Sequence, residues 1–121
     1  MSEKEHDIQA GLVRWATWNI KKYPALDLLM AFCNERKGGY KEISYFMAEG
    51  LKPGAPDLFL SVARHGYHGL YLETKTLTGQ LSAHQRRIKR LLIAEDYKFV
   101  VYRTVPHGIK LLKDYLSIRE E

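Results

Sequence analysis

Two short apolar segments with a glycine-bearing turn between them constrain the fold of this chain more than any other feature. Residues 58–62 and 69–72 are rich in leucine and aromatic residues, and the polar segment 64–68 separates them. Two such runs joined by a short loop that contains Gly are typical of a β-hairpin. An acidic residue lies at the start of this unit in the sequence and another lies near its end. Asp57 opens the first strand, and Glu73 follows the apolar part of the second.

The spacing of Asp57, Glu73 and Lys75 predicts that three charged side chains meet at one end of the hairpin. Successive side chains of a strand alternate between its faces, so Glu73 and Lys75 point the same way and Thr74 points the other. Asp57 can then converge on Glu73 across the strand pair. Two carboxylates suit a hard cation such as Mg²⁺, and a lysine can orient a nucleophile or offset charge at a phosphoryl group. The alternative is that Glu73 and Lys75 form a same-face surface pair.

The order of short motifs along the chain resembles the virus-type replication-repair nuclease family (VRR-NUC) of the PD-(D/E)xK nuclease superfamily. The Glu-x-Lys pair is a weak motif, but Gly-x-Pro-Asp and Leu-Ser-x-x-Gln elements flank it in the family's order. The stretches that carry the resemblance are Glu5–Gln9, Asn34–Arg36, Gly50–Leu58, Gly69–Lys75 and Gly79–Gln85. The resemblance implies an α/β fold with a restriction-endonuclease-like core, a mixed central sheet flanked by helices, and a single nuclease domain over residues 1–121.

The resemblance also implies roles for the residues at the hairpin end. Asp57 and Glu73 would hold Mg²⁺, with Mn²⁺ as a substitute, and the backbone carbonyl of Thr74 would complete the protein ligands. Lys75 would orient the attacking water. Cleavage is then expected to leave 5′-phosphate and 3′-hydroxyl ends.

Two further residues have both a structural and a functional interpretation. Ser82 and Gln85 form the capping-box pattern at the start of a helix, whereas the resemblance places Gln85 beside the lysine or the scissile phosphate. Glu5 lies one turn before Gln9 on a predicted helix, and the resemblance places both near the metal. The alternative for Glu5 is a solvated acid that the helix dipole favours in the first turn. Both interpretations of each residue stay open at this point.

A run of positive charge follows Gln85 and predicts contacts with a nucleic-acid backbone. Four cations fall in five positions, and no acid follows until Glu95, so the like charges repel one another unless a phosphate relieves them. The alternative is an ordinary solvated helix face. A net charge of +5 also favours a polyanionic partner. Together with Lys52, the predicted DNA contacts are Arg86, Arg87, Lys89 and Arg90.

Hydrophobic spacing predicts the remaining elements. Helices are expected over 5–18, 41–49 and 82–94, and a strand over 98–103. The apolar run 28–33 fits either a buried strand or a buried helix, and its length and the resemblance favour a strand. The tail 108–118 is interpreted as a helix, or as a strand followed by a helix. Asn34 is either a turn cap or a substrate contact, and Cys33 is interpreted as a core residue. His65 and His68 are interpreted as surface residues of the hairpin loop rather than zinc ligands, because no paired cysteines accompany them.

Length and composition bound the class of protein. A chain of 121 residues fits one domain, and its one cysteine excludes an intrachain disulfide and suits a reducing compartment. No apolar stretch approaches the ~20 residues that span a bilayer, and the first seven residues show no signal peptide. We expect a cytoplasmic protein of the kind that phages encode in bacterial hosts.

The resemblance points to a homodimeric endonuclease that acts on branched DNA, including four-way (Holliday) junctions in repair and recombination. One alternative is a nucleic-acid-binding module of the same fold that does not cleave. Another is a sequence-specific restriction-type nuclease, although the chain has little length for a separate recognition domain.

Overall fold

The computed structural model describes residues 1–32 and 40–119, with the backbone alone for residues 40–43. Helices and strands alternate along these residues, and a short 3₁₀ helix precedes the first strand. In chain order the elements are α1 (Glu3–Trp18), the 3₁₀ helix (Pro24–Leu28), β1 (Leu29–Ala31), α2 (Tyr40–Ala48), β2 (Leu58–Leu60), β3 (Leu70–Thr74), α3 (Ala83–Ala94), β4 (Lys98–Tyr102) and α4 (Val105–Leu116).

The strands form one mixed sheet in the order β1-β2-β3-β4. β1 and β2 are antiparallel, β2 and β3 form the predicted antiparallel hairpin, and β3 and β4 run parallel. A parallel pair needs a crossover connection, and α3 lies in the chain between β3 and β4. The prediction of an α/β fold with a mixed central sheet flanked by helices is therefore confirmed.

The hairpin turn is tight because its two central residues adopt left-handed backbone conformations. His65 has φ 55° and Gly66 has φ 84°, as a turn that follows the twist of both strands requires. The backbone groups of Arg64 and Tyr67 exchange hydrogen bonds of 3.2 and 2.8 Å across the turn. Farther from the turn, β2 and β3 pair Leu58 with Leu72, so the residues just outside that pair lie at one end of the sheet.

The main core lies on one face of the sheet, where α1 and α4 pack against each other. Alternate residues of β2 and β3 point into it, because strand side chains alternate between faces. Its fully buried members include Leu12, Leu58, Leu60, Leu70, Leu72, Tyr102 and Leu112. On the opposite face the half-buried rings of Phe59 and Tyr71 stack with their centroids 4.3 Å apart.

The predicted buried strand over 28–33 is wrong in its burial and its length. Leu28 ends the 3₁₀ helix that begins at Pro24, and the strand covers Leu29–Ala31. Because β1 pairs with β2 at the edge of the sheet, Met30 is 56 % exposed. Cys33 and the segment 34–36, for which a core residue and a turn or substrate contact were predicted, lie outside the described residues.

The predicted helices over 5–18, 41–49 and 82–94 are confirmed, with small shifts at their ends. The tail is a single helix, and it begins at Val105 rather than near 108. Thr104 is its N-cap, with Oγ1 accepting from the His107 N–H at 3.2 Å, and Pro106 lies in the first turn. Among the described helices, none combines the length and the apolar character that a membrane span needs.

Candidate active site

Asp57 lies where the segment before β2 meets the end of β3. Its Oδ2 accepts a hydrogen bond of 2.8 Å from the backbone N–H of Thr74. Since Thr74 directly follows Glu73, this bond fixes the Asp57 carboxylate beside the Glu73 side chain. Asp57 is only 9 % exposed, so the pair of carboxylates is largely shielded from water.

Glu73 is a buried acid with one satisfied and one unsatisfied oxygen. It is 2 % exposed, and its Oε1 accepts a 2.9 Å hydrogen bond from Gln85 Nε2. Within the described residues its Oε2 is buried and has no hydrogen-bond partner. Burial raises the pKa of Glu73 to about 9, the negative charge of Asp57 adds to the rise, and Lys75 opposes it. The site therefore favours a positive charge, either a proton or a cation, at this carboxylate.

The segment before Asp57 approaches the start of α3 closely at Gly54. This residue has φ 84°, and a Cβ added there would lie 2.5 Å from the carbonyl carbon of His84. Only glycine accepts both the left-handed conformation and the backbone contact. The close approach holds the two sides of the site, one carrying Asp57 and the other Gln85, at a fixed separation.

The start of α3 places Gln85 both in the predicted capping box and beside the buried acid Glu73. Its backbone N–H donates to Ser82 Oγ at 3.1 Å, while its Oε1 accepts from the Ser82 N–H at 2.8 Å. These two bonds are a complete capping box. Its remaining amide nitrogen donates to Glu73, so one side chain caps the helix and contacts the buried acid.

The start of α1 repeats this arrangement at Glu5. Its Oε1 accepts from the Ser2 N–H and its own N–H donates to Ser2 Oγ, both at 3.1 Å. One turn later, Gln9 Oε1 lies 3.4 Å from the Thr74 hydroxyl, which in turn lies 2.6 Å from the Tyr102 hydroxyl. The helix that carries Glu5 is thereby fixed to the end of β3.

These contacts enclose a polar cavity of about 250 Å³. All six residues with a predicted catalytic or metal-binding role line it: Glu5, Asp57, Glu73, Thr74, Lys75 and Gln85. They come from α1, the segment before β2, β3 and its continuation, and α3, so residues spread over eighty positions meet at one place. Ser82 and His84 also line the cavity.

The residues of the cavity fit a hard divalent cation. In the part of the chain that the structure describes, no three His, Cys, Asp or Glu side chains form a ready cluster, so Asp57 and Glu73 act as a pair. Mg²⁺ is commonly held by one or two carboxylates, with water and phosphate oxygens completing its shell. The buried, unpaired Glu73 Oε2 is an oxygen that such an ion would satisfy.

The chain has the fold of a VRR-NUC protein. It matches a solved structure described as "VRR_NUC domain protein" with a TM-score of 0.80, over 99 % of this chain and 93 % of that chain, at 24 % sequence identity. No family model matches the sequence, and no curated protein matches it. The likeness covers nearly the whole of both chains, so it supports the VRR-NUC fold throughout and not for the hairpin alone.

The predicted DNA contacts lie outside this cavity and differ in their exposure. Arg86, Arg87, Arg90 and Lys52 are exposed. Lys89 is half-buried instead, with Nζ 5.6 Å from the ring centroid of Phe99, so it contacts the sheet rather than lying on an open helix face. The exposed positive charge of α3 is therefore carried by its three arginines.

Sequence reasoning missed the part that β4 plays in the site. Tyr102 is fully buried, and burial raises the pKa of its hydroxyl above the ordinary value. Arg103 Nη1 donates to the carbonyls of Thr76 and Gly79, at 2.6 and 2.7 Å, just after Lys75. Neither residue belongs to a local motif, because parallel pairing with β3 alone brings them to the site. His84 carried a weak signal, as it lies inside the Ser82–Gln85 capping motif.

Proposed function

We propose that this chain is a metal-dependent DNA endonuclease. One observation carries the proposal: Asp57 and Glu73 lie together in a cavity that Lys75 also lines, and one oxygen of Glu73 is buried without a partner. Buried acids that lack hydrogen bonds are costly for stability and are concentrated at functional sites. The VRR-NUC fold supports the same conclusion.

The chemistry divides between the ion and the side chains. Mg²⁺, with Mn²⁺ as a substitute, would polarise the scissile phosphate and lower the pKa of a bound water. Asp57 and Glu73 would hold the ion, with the Thr74 carbonyl as a third ligand and Glu5 acting either directly or through a bound water. Gln85 donates to Glu73 Oε1, so Oε2 would be available to hold the ion. Lys75 orients the attacking water and offsets charge that develops on the phosphate.

DNA binding is assigned to the exposed cations next to this site. α3 begins at the cavity, and its arginines Arg86, Arg87 and Arg90 carry positive charge away from it. Lys52 lies two residues before Gly54, on the segment that packs against the same end of α3. Contacts of this kind reach the phosphate backbone and do not read sequence.

The proposed substrate is branched DNA, such as a four-way junction, bound by a homodimer. The VRR-NUC resemblance supports both statements, and a two-fold dimer would offer two equivalent sites to the two equivalent strands of a junction. Light scattering should give twice the 14.1 kDa mass of the chain. A mass of one chain at micromolar concentration, both with and without DNA, would exclude the dimer.

The decisive experiment incubates the protein with labelled linear duplex, flap and four-way junction DNA, in Mg²⁺ and in EDTA. Lys75→Ala and Glu73→Gln should each lower Mg²⁺-dependent cleavage by about 10² or more, because each removes a contact to the transition state or its ion. Lys110→Ala is the matched control, since Lys110 is exposed on α4 and pairs with Asp114 there. Normal cleavage by folded Lys75→Ala would contradict the assignment.

The same assay separates the two alternatives. If the protein binds DNA but cleaves none of the substrates in the presence of metal, it is a non-catalytic binding module. Cutting at one short sequence in every DNA, whatever its branching, would indicate a restriction-type nuclease.

A further inference from the structure

A second cavity, of about 630 Å³, adjoins the candidate active site along two segments of the chain. Lys4 lines the second cavity and Glu5 lines the first; likewise Thr76 lines the second and Lys75 the first. Consecutive residues of α1 and of the segment after β3 therefore line the two cavities. None of the six predicted site residues lines this second cavity.

One side of the second cavity is apolar and is open to solvent. Ile8, Leu77, Val105 and Pro106 line it, and Leu77 is 75 % exposed. Single exposed apolar residues are ordinary on protein surfaces. Here two exposed residues, Leu77 and Pro106, and two half-buried ones, Ile8 and Val105, surround one concave space, as is characteristic of a binding surface.

The loop that presents Leu77 is held in place by Arg103. Two hydrogen bonds from Arg103 Nη1, of 2.6 and 2.7 Å, reach the carbonyls of Thr76 and Gly79 on either side of Leu77. The backbone on both sides of Leu77 is thus held in place before any ligand arrives, which reduces the entropy lost on binding.

The rim of the cavity favours an anion. Among the described residues that line the cavity, Lys4 and Arg103 carry positive charge and Asp7 carries negative charge. The acceptors of Arg103 are neutral carbonyls, so they leave its charge uncancelled. The first residues of α4 also line the cavity, and the partial positive charge of a helix N-terminus adds to the attraction.

We propose that this cavity binds one unpaired nucleotide of the DNA, next to the phosphate that is cleaved. Its base would lie against Leu77 and the apolar residues opposite, and its phosphate would lie toward Lys4 and Arg103. The volume is in the range of roughly 300–1,000 Å³ that small ligands occupy. This inference rests on the proposed function and deepens it, because bases stacked in an intact duplex cannot enter the cavity. The unpaired nucleotides of a flap or a strained junction can.

The test varies the DNA as well as the protein. A series of flap substrates carries one abasic position each, on either side of the scissile phosphate, and kcat/KM is measured for the wild type and for Leu77→Ser. One abasic position should lower wild-type kcat/KM by about tenfold, the scale of a lost base–side-chain contact. At that position Leu77→Ser should be insensitive to the abasic change. Leu28→Ser is the control, since Leu28 is an exposed leucine, 40 % accessible, at the end of the 3₁₀ helix.

A binding measurement keeps this inference separate from the proposed function. With 2-aminopurine at the sensitive position, binding in EDTA should raise its fluorescence with the wild type and with Leu28→Ser, but not with Leu77→Ser. Equal fluorescence for the wild type and Leu77→Ser at every position would overturn the nucleotide site, even for a protein that cleaves DNA. A Leu77-dependent rise from a protein that cleaves nothing would overturn the nuclease and leave the site standing.

Discussion

Replacing Glu73 by glutamine should stabilise the metal-free protein at alkaline pH while removing its response to Mg²⁺. Burial beside Asp57 raises the pKa of Glu73 from 4.5 to about 9. A group whose folded-state pKa is raised stabilises the fold fully below its unfolded pKa, and that stability is lost as the pH rises toward the folded value. Metal-free wild-type protein should therefore become steadily less stable between pH 5 and pH 8.

The size of the effect follows from the raised pKa. Each pKa unit is worth about 1.4 kcal/mol, so raising the pH from 5 to 8 removes up to about 4 kcal/mol of folding free energy through this one group. That is a large share of the roughly 5–15 kcal/mol that stabilises a small domain. In Glu73→Gln the amide oxygen can still accept from Gln85, and no proton is released, so the slope disappears.

Urea unfolding measures this directly, with fluorescence of the half-buried Trp15 as the signal. Wild type, Glu73→Gln and the exposed control Glu95→Gln are unfolded in EDTA at several pH values, and again in Mg²⁺. In EDTA the wild type and Glu95→Gln should lose stability with pH relative to Glu73→Gln. Mg²⁺ should restore the wild type at pH 8, because the ion takes the place of the proton, and should leave Glu73→Gln unchanged. Parallel pH profiles for wild type and Glu73→Gln in EDTA would refute the reasoning.

Three other perturbations test separate parts of the site. Gly54→Ala should lower cleavage about 10²-fold, because the added Cβ would displace the site. The control Gly66→Ala has the same φ of 84° but nothing within 4 Å of the added Cβ, so it should cleave normally. Equal activities of the two variants would show that the close approach to α3 does not matter for cleavage. Replacing Arg86 and Arg87 by alanine should weaken binding equally for all DNA sequences and reduce the slope of log affinity against log salt by roughly 2. An unchanged slope would mean that this face of α3 is an ordinary solvated face that does not bind phosphate. Glu5→Gln should raise the Mg²⁺ concentration for half-maximal cleavage without changing DNA affinity in EDTA; overlapping Mg²⁺ titrations would remove Glu5 from the metal site.

The parts of the fold that were predictable are those with local signals. The turn at His65–Gly66, the alternation along β3 and the capping box at Ser82 each involve a few consecutive residues. The prediction of a buried strand over 28–33 was wrong because an apolar run does not distinguish a central strand from an edge strand. That distinction depends on which strands pair with it, and pairing is set by distant parts of the chain.

The contributions of β4 to the site could not be predicted from the sequence for the same reason. The parallel register pairs Thr74 with Tyr102, which places the two hydroxyls 2.6 Å apart. It also carries Arg103 to the loop after Lys75. Neither pairing leaves a trace in the spacing of residues, because β3 and β4 are separated by a helix and could in principle pair in several registers.

The double roles of Glu5 and Gln85 show why local motifs left their function open. Each is the third residue of a capping box, which is a sufficient structural reason for its presence. In the structure the first turns of both helices reach the same cavity, which Glu5 and Gln85 line. Two helix N-termini there add partial positive charge beside three acids, which offsets the repulsion that a phosphate would meet from Asp57 and Glu73 alone. The capping acid and the capping amide are therefore positioned on their helices by local chemistry. The convergence of α1 and α3, which no single segment of the sequence encodes, brings both of them to the cavity.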